Sequence, residues 1–143
     1  MSRDPDSALQ MAILAKLAAQ TSLQPLLGNP PRVYDEPPPE PVYPFVTLGT
    51  SQTRPYGGLV EPVSAEATEH AISLTIASVS GGTEEVKTVL SLVRAALHGA
   101  ALSLEDHRLI NLRVTFGDVF RAADWRSTYG VLRLRAVTEP TNS

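Results

Sequence analysis

Apolar side chains recur along this chain with two different periods, and the switches between them mark out its elements. Leu9, Ile13 and Leu17, with Met11 and Ala12 beside them, follow the i, i+4, i+8 spacing of one buried helix stripe, and Lys16 and Gln20 fall toward its margin. Asp4 followed by Pro5 reads as an N-cap with proline at the first helical position, where its missing N–H costs nothing. This helix is expected to fade over residues 20–23, because Pro25 disfavours helical dihedrals in the residue before it. A second helix is expected after Thr83, read as its cap, with Glu84 and Glu85 at the positive end of the dipole. Val86, Val89, Leu90, Val93 and Leu97 form its stripe, and Gly99, after His98, reads as a left-handed C-cap.

Elsewhere the period shortens to two. Residues 44–53 hold the apolar run Phe45, Val46, Thr47 and Leu48, and residues 67–80 alternate His70, Ile72, Leu74 and Ile76 against Ala71, Ser73 and Thr75. Residues 107–117 place Ile110, Leu112, Val114 and Phe116 on one face and Asn111, Arg113 and Thr115 on the other. Residues 128–138 set Leu132, Leu134 and Ala136 against Arg133 and Arg135. The order helix, strands, helix, strands predicts an α+β domain. Its largely antiparallel four- to five-stranded sheet would carry two helices packed on one face, leaving an arginine-bearing face over.

Two connectors interrupt this pattern. Residues 29–44 hold seven of the twelve prolines, so this stretch should be extended and excluded from the middle of a sheet. Its Pro38-to-Pro41 spacing matches a ligand for a proline-binding domain, but such patterns recur by composition alone, and a stiff connector is the favoured reading. Residues 54–66, with Pro55, Gly57, Gly58 and Pro62, form a loop far longer than the usual hairpin turn of about 2–5 residues.

At 143 residues the chain fits a single domain, 1–143, of a size that buries about 68–70% of its unfolded surface. It contains no cysteine, which removes disulfides and thiolate-bound zinc. The formal charge of −3 hides an asymmetry: residues 1–93 hold five Lys or Arg against ten Asp or Glu, and residues 94–143 hold seven against five. That balance argues against non-specific gripping of DNA, which needs clustered basic residues and a basic pI. With neither a secretory leader pattern nor a long apolar run, the sequence reads as a soluble, unexported protein without a membrane role.

Candidate chemistry is sparse. His70, His98 and His107 match no ligand spacing, and the consecutive Glu105, Asp106 and His107 fit a turn better than a metal site, since three adjacent side chains rarely converge on one ion. No serine lies in a G-x-S-x-G elbow, and the glycine pairs lack the Lys-Ser or Lys-Thr of a phosphate loop. No catalytic residue, cofactor or metal is expected, and the protein reads as one of contact, not catalysis. Arg113, Arg133 and Arg135 could hold phosphate bidentately, could form an ordinary solvated face, or could meet carboxylates such as Glu61, Glu66 and Glu69 of a neighbouring subunit.

Five stretches carry a resemblance: ALQMAILAKL from Ala8, RVYDEPPPEPVYPFVTLG from Arg32, EHAISLTIAS from Glu69, the run from Glu84 through LINLRV, and the closing GVLRLRAVTEP from Gly130. Together they resemble the tail terminator, or tail completion, proteins of long-tailed phages and gene transfer agents. The resemblance implies a structural protein without catalytic residues. It implies a ring, usually of six subunits, at the head-proximal end of the tail tube, ending tube growth and docking the head connector or stopper. The implied partners are other copies of the chain, the tube protein and the connector, while DNA passes through the lumen without specific binding. Assembly in the host cytoplasm and a final place in the tail follow. The residues 54–66 and 117–129 look individual to this chain, so partner contacts there do not carry over. Another head–tail joining or tail-tube component, or a small regulatory binding module, are the competing readings.

Overall fold

The computed structural model describes residues 4–56, 67–79 and 83–141. Helix α1 (Pro5–Ala18) begins as the capping pattern requires: the Asp4 side chain accepts the Ser7 N–H at 3.0 Å, with Pro5 at the first position. Leu9, Ile13 and Leu17 are fully buried, but Met11 is 51% exposed. Two residues of helix turn a side chain by about 200°, so Met11 faces away from both Leu9 and Ile13, and Leu14 packs against the core in its place. As expected, α1 stops ahead of Pro25: it ends at Ala18, just short of residues 20–23, and Gln20 is extended at φ −79° and ψ 111°. A 3₁₀ turn, Thr21–Leu23, leads into the four-residue helix α2 (Gln24–Leu27), which takes Pro25 into its first turn, where no N–H is required. Leu23 and Leu27 thereby enter the core.

Helix α3 (Glu84–Leu97) buries Val86, Val89, Val93 and Leu97 completely. Thr83 makes no side-chain cap bond, contrary to expectation, because it already has helical dihedrals at φ −86° and ψ −16° and its hydroxyl cannot reach back over the first turn. Gly99 does occupy the left-handed region, φ +73°, and its N–H donates to the Leu112 carbonyl at 2.8 Å.

The sheet has five strands: β1 (Val33–Tyr34), β2 (Phe45–Pro55), β3 (Thr68–Ser78), β4 (His107–Arg121) and β5 (Thr128–Pro140), in spatial order β1-β2-β3-β5-β4. It is mixed, since β1 runs parallel to β2 while the other pairs are antiparallel. The proline-rich connector thus contributes a two-residue edge strand just ahead of its proline cluster, an edge being the place in a sheet that tolerates lost donors. Arg32 pins the connector's two ends together, its Nε donating to the Pro44 carbonyl at 3.1 Å.

Along β3 and β5 the alternation sorts side chains as expected. Ile72, Leu74 and Ile76 with Leu132, Leu134 and Ala136 form one buried face, packed with α1 and α3 in a single apolar cluster. On β4 the expected alternation fails at two places. Register shifts at Leu109/Asn111 and Val114/Phe116 insert an extra residue each, so Leu112 and Val114 stay in the core while Ile110 (39% exposed) and Phe116 (44%) do not. The strand also runs four residues beyond Gly117, into a stretch expected to be loop. The ladder with β5 continues past Gly117 through Val119↔Gly130 to Arg121↔Thr128.

Helix α3 crosses β5 most closely at Gly130, where a Cβ would lie 2.7 Å from Val86 Cγ1 and 3.3 Å from Leu90 Cδ1. Gly130→Val should therefore destabilise the fold by about 1–3 kcal/mol through overpacking. Urea unfolding followed by circular dichroism measures it, and a midpoint equal to wild type contradicts this close approach.

Candidate functional site

The face of the sheet away from the helices is organised in cross-strand rows. Starting near the β2–β3 connection, the first row is Arg54, Glu69, Val137 and Asn111, and the second is Gln52, Ala71, Arg135 and Arg113. Ser73, Arg133 and Phe116 follow, then Thr47, Thr75, Val131 and Asp118, and last Phe45, Ala77, Tyr129 and Phe120. The central strand β3 presents only Ala71, Ser73, Thr75 and Ala77 beyond Glu69, so it forms the floor of a trough between longer side chains of β2 and β5. One hollow of about 450 Å³ lies over this floor, bounded by Thr50, Gln52, Ser73, Arg133 and Arg135. A second, of about 350 Å³, shares Gln52 and Arg135 with it and reaches Arg54 and Glu69.

The three arginines share this face, but their surroundings differ. Arg113 stands directly opposite Arg135 in the ladder, a like-charge pair that favours an outside anion. Arg133 lies over the Phe116 ring with its guanidinium carbon 4.9 Å from the centroid. This contact exists only because the bulge at Thr115 turns Phe116 outward. Arg135 Nη1 donates to Glu69 Oε2 at 2.9 Å, and Arg54 Nε donates to Glu69 Oε1 at 2.6 Å. Glu69 is therefore engaged within its own chain, while Glu61 and Glu66 lie outside the described residues. The Arg54 hydrogen bond is the largest effect on the Glu69 carboxyl; burial opposes it, and the Arg135 hydrogen bond and the two guanidinium charges add to it, so the carboxyl is held below its ordinary value of 4.5.

The histidines fall in three different settings. His70 is fully buried, with Nδ1 2.9 Å from Asp6 Oδ1 and Nε2 2.9 Å from Thr138 Oγ1. The order Asp–His–Thr has the form of a nucleophile relay, yet Thr138 is 0% exposed, so no substrate can reach its hydroxyl. The network instead ties α1 to β3 and β5, and Ser51 adds a 2.6 Å hydrogen bond to Asp6 from β2. His98 Nδ1 accepts the Val114 N–H at 2.9 Å, satisfying part of the outer edge of β4. His107 starts β4 just after the bend at Glu105 and Asp106, where Asp106 has φ +67°. Among the described residues no three metal-type side chains converge, and no helix is long and apolar enough to cross a membrane.

This arrangement offers recognition of carboxylates or phosphates by guanidinium groups and contact through exposed aromatic rings. A family model described as tail completion protein gp17 matches residues 11–139. The chain belongs to that family. It is a structural protein of phage-type tails. A solved structure similar to this tail completion protein is a chain from the virion of a native gene transfer agent particle, with TM-score 0.82 and 26% identity over 96% of this chain and 99% of that one. Comparison with curated proteins returns no match.

Sequence reasoning overlooked the aromatic part of the tail completion protein's surface. Phe116, Phe120 and Trp125 are 44%, 44% and 71% exposed, and Phe120 packs on Tyr129 at 5.8 Å. A tryptophan within a polar Asp124-Trp125-Arg126 turn was the available signal.

Because the folded state holds Glu69 ionised more firmly than the unfolded chain does, its contribution is full above its ordinary value of 4.5 and is lost as pH falls through the lower folded value. Glu69→Gln should thus lower the thermal midpoint at pH 6–7 by an amount matching about 0–1 kcal/mol, as for partly solvated pairs. The gap to wild type should narrow as pH falls below 4.5 and close once the folded state also protonates Glu69. Melting curves from pH 3 to 7 check this, and a gap that widens toward acid reverses the sign.

Proposed function

We propose that this protein forms a homo-oligomeric ring, of six subunits, at the head-proximal end of a phage-like tail tube, where it ends tube polymerisation and docks the head connector or stopper. The observation that carries the reading is the family match over residues 11–139, together with the likeness to a gene transfer agent virion chain along nearly its whole length. The surface supports it physically. A ring subunit between a tube and a connector needs several contact faces, each on the order of 1,000 Å² if stable, and among the described residues no helix covers the open sheet face. The acidic first part and basic last part of the chain supply the two unlike patches that a heterologous ring requires. On this reading the protein assembles in the host cytoplasm, then resides in the tail of the particle. DNA passes through the lumen without specific binding.

Arg113, Arg133 and Arg135 are assigned to the subunit contact, with Glu61 and Glu66 of the neighbour as carboxylate partners. Glu69, already bridged by Arg54 and Arg135, orients Arg135 within its own subunit.

Negative-stain imaging of the purified protein should show rings with a central hole, and particles lacking it should carry overlong or headless tails. Absence of tubes altogether would favour a tail-tube component instead. Arg113→Glu combined with Arg133→Glu should reduce the ring fraction in native mass spectrometry at least tenfold with the monomer's melting point retained. An unchanged oligomer mass removes these arginines from the interface. DNA retention on the protein that falls steeply with added salt would contradict a lumen that merely surrounds it.

A further inference from the structure

The hairpin joining β4 to β5 ends in a tryptophan that its own subunit leaves outside. Trp125 is 71% exposed and has φ +60°, a left-handed conformation that a bulky residue adopts only when its surroundings impose it. The turn imposes it through specific bonds. Asp124 Oδ1 accepts the N–H groups of Arg126 at 2.8 Å and Ser127 at 3.1 Å, and these bonds hold its carboxyl below the usual range. The Trp125 N–H donates to the Ala122 carbonyl at 3.0 Å, and the Arg121 guanidinium lies 5.4 Å from the indole centroid. A turn built this firmly, at the cost of backbone strain, presents an indole flanked by Arg121 and Arg126. Tryptophan and arginine are both among the residue types enriched at the energetic centres of protein interfaces.

At the other end of β4 lies a hollow of about 220 Å³, lined by Ala8, Met11, Ala12 and Ala15 of α1 and by Ser103 and Glu105. Its floor is apolar and its rim acidic, the complement of an indole flanked by arginines. It is roomy enough for an aromatic side chain, since a cavity of about 150 Å³ already holds benzene. Met11, turned outward by the geometry of α1, supplies a deformable wall. The hollow and the indole belong to opposite ends of one strand: Glu105 precedes β4 and Trp125 follows it, and fifteen extended residues span roughly 45 Å even before curvature shortens them. A subunit therefore cannot fill its own hollow.

We propose that Trp125 of one subunit seats in the α1 hollow of the next, with Arg126 facing Glu105. The occupant is a second copy of this chain because both halves of the contact, apolar and charged, are present on it at separated places. Such a head-to-tail contact is heterologous and generates a ring where the rotation closes. The inference rests on the ring reading above and names the contact that closes it.

Trp125→Ala should weaken subunit association at least tenfold in sedimentation while leaving the monomer's melting point unchanged, as the side chain is mostly solvated. Arg126→Glu should weaken it too, and adding Glu105→Arg should restore it. The chain has no cysteine, so Ala15→Cys with Ala123→Cys, both keeping Trp125 intact, can be bridged by a short bis-maleimide. The double variant should give a ladder of covalent oligomers on denaturing gels, and each single variant should stay monomeric. Rings that persist at wild-type strength in Trp125→Ala and yield no ladder overturn this contact while the ring reading stands. A wild-type protein that remains monomeric at all concentrations overturns the ring reading itself.

Discussion

The eleven-residue ladder between β3 and β5, unbroken from Thr68↔Thr138 to Ser78↔Thr128, is the constraint on which the rest of the structure depends. Its two strands sit at the centre of the sheet, and side chains alternate faces along each, so one register decides every neighbour at once. With this register Ile72, Leu74, Ile76, Leu132 and Leu134 all join one apolar cluster with the buried residues of α1 and α3. A slip of β5 by one residue against β3 would present Arg133 and Arg135 to the helices instead, burying charge without partners. Gly130 belongs to the same constraint, because the close passage of α3 is possible only where β5 lacks a side chain.

The same ladder creates the contact surface. Its small residues on β3 leave a trough, and its arginines on β5 wall it. What β4 adds is irregular: two bulges redirect Ile110 and Phe116 out of the core, and the second gives Arg133 an aromatic ring to lie on. Bulges at an edge strand also increase its local twist and blunt it against uncontrolled pairing. A tail completion protein has reason to spend residues this way. Its work consists of meeting neighbours, so side chains that a catalytic domain would gather round a substrate are distributed over faces and tips.

Buried polarity is used structurally. Asp6, His70, Thr138 and Ser51 come from four elements and satisfy one another where the N-terminal helix meets the sheet. A half-satisfied imidazole at that depth would cost more than an apolar residue, so the network specifies the position of α1 against the strands more than it adds to stability.

Much of this was legible without coordinates. The cap at Asp4, the stripes of α1 and α3, the left-handed Gly99 and the alternation of β3 and β5 follow from local chemistry, since each depends on residues within a turn or two of each other. So did the common face of Arg113, Arg133 and Arg135, and the resemblance to tail completion proteins. The rest depended on residues far apart in the chain. Periodicity carries no mark of a bulge, so Phe116 was placed in the core. Pro25 reads as a helix stop until tertiary packing gives Leu23 and Leu27 somewhere to go. Glu69 reads as an acid available to a neighbour until the register sets Arg54 and Arg135 beside it. By itself the sequence determined the two long helices, the four long strands and which face of each central strand is apolar, because those are short-range properties of spacing. Only the tertiary structure decided which charges are satisfied within the chain and which aromatic side chains stay exposed, because pairing across a sheet joins residues that no local pattern connects.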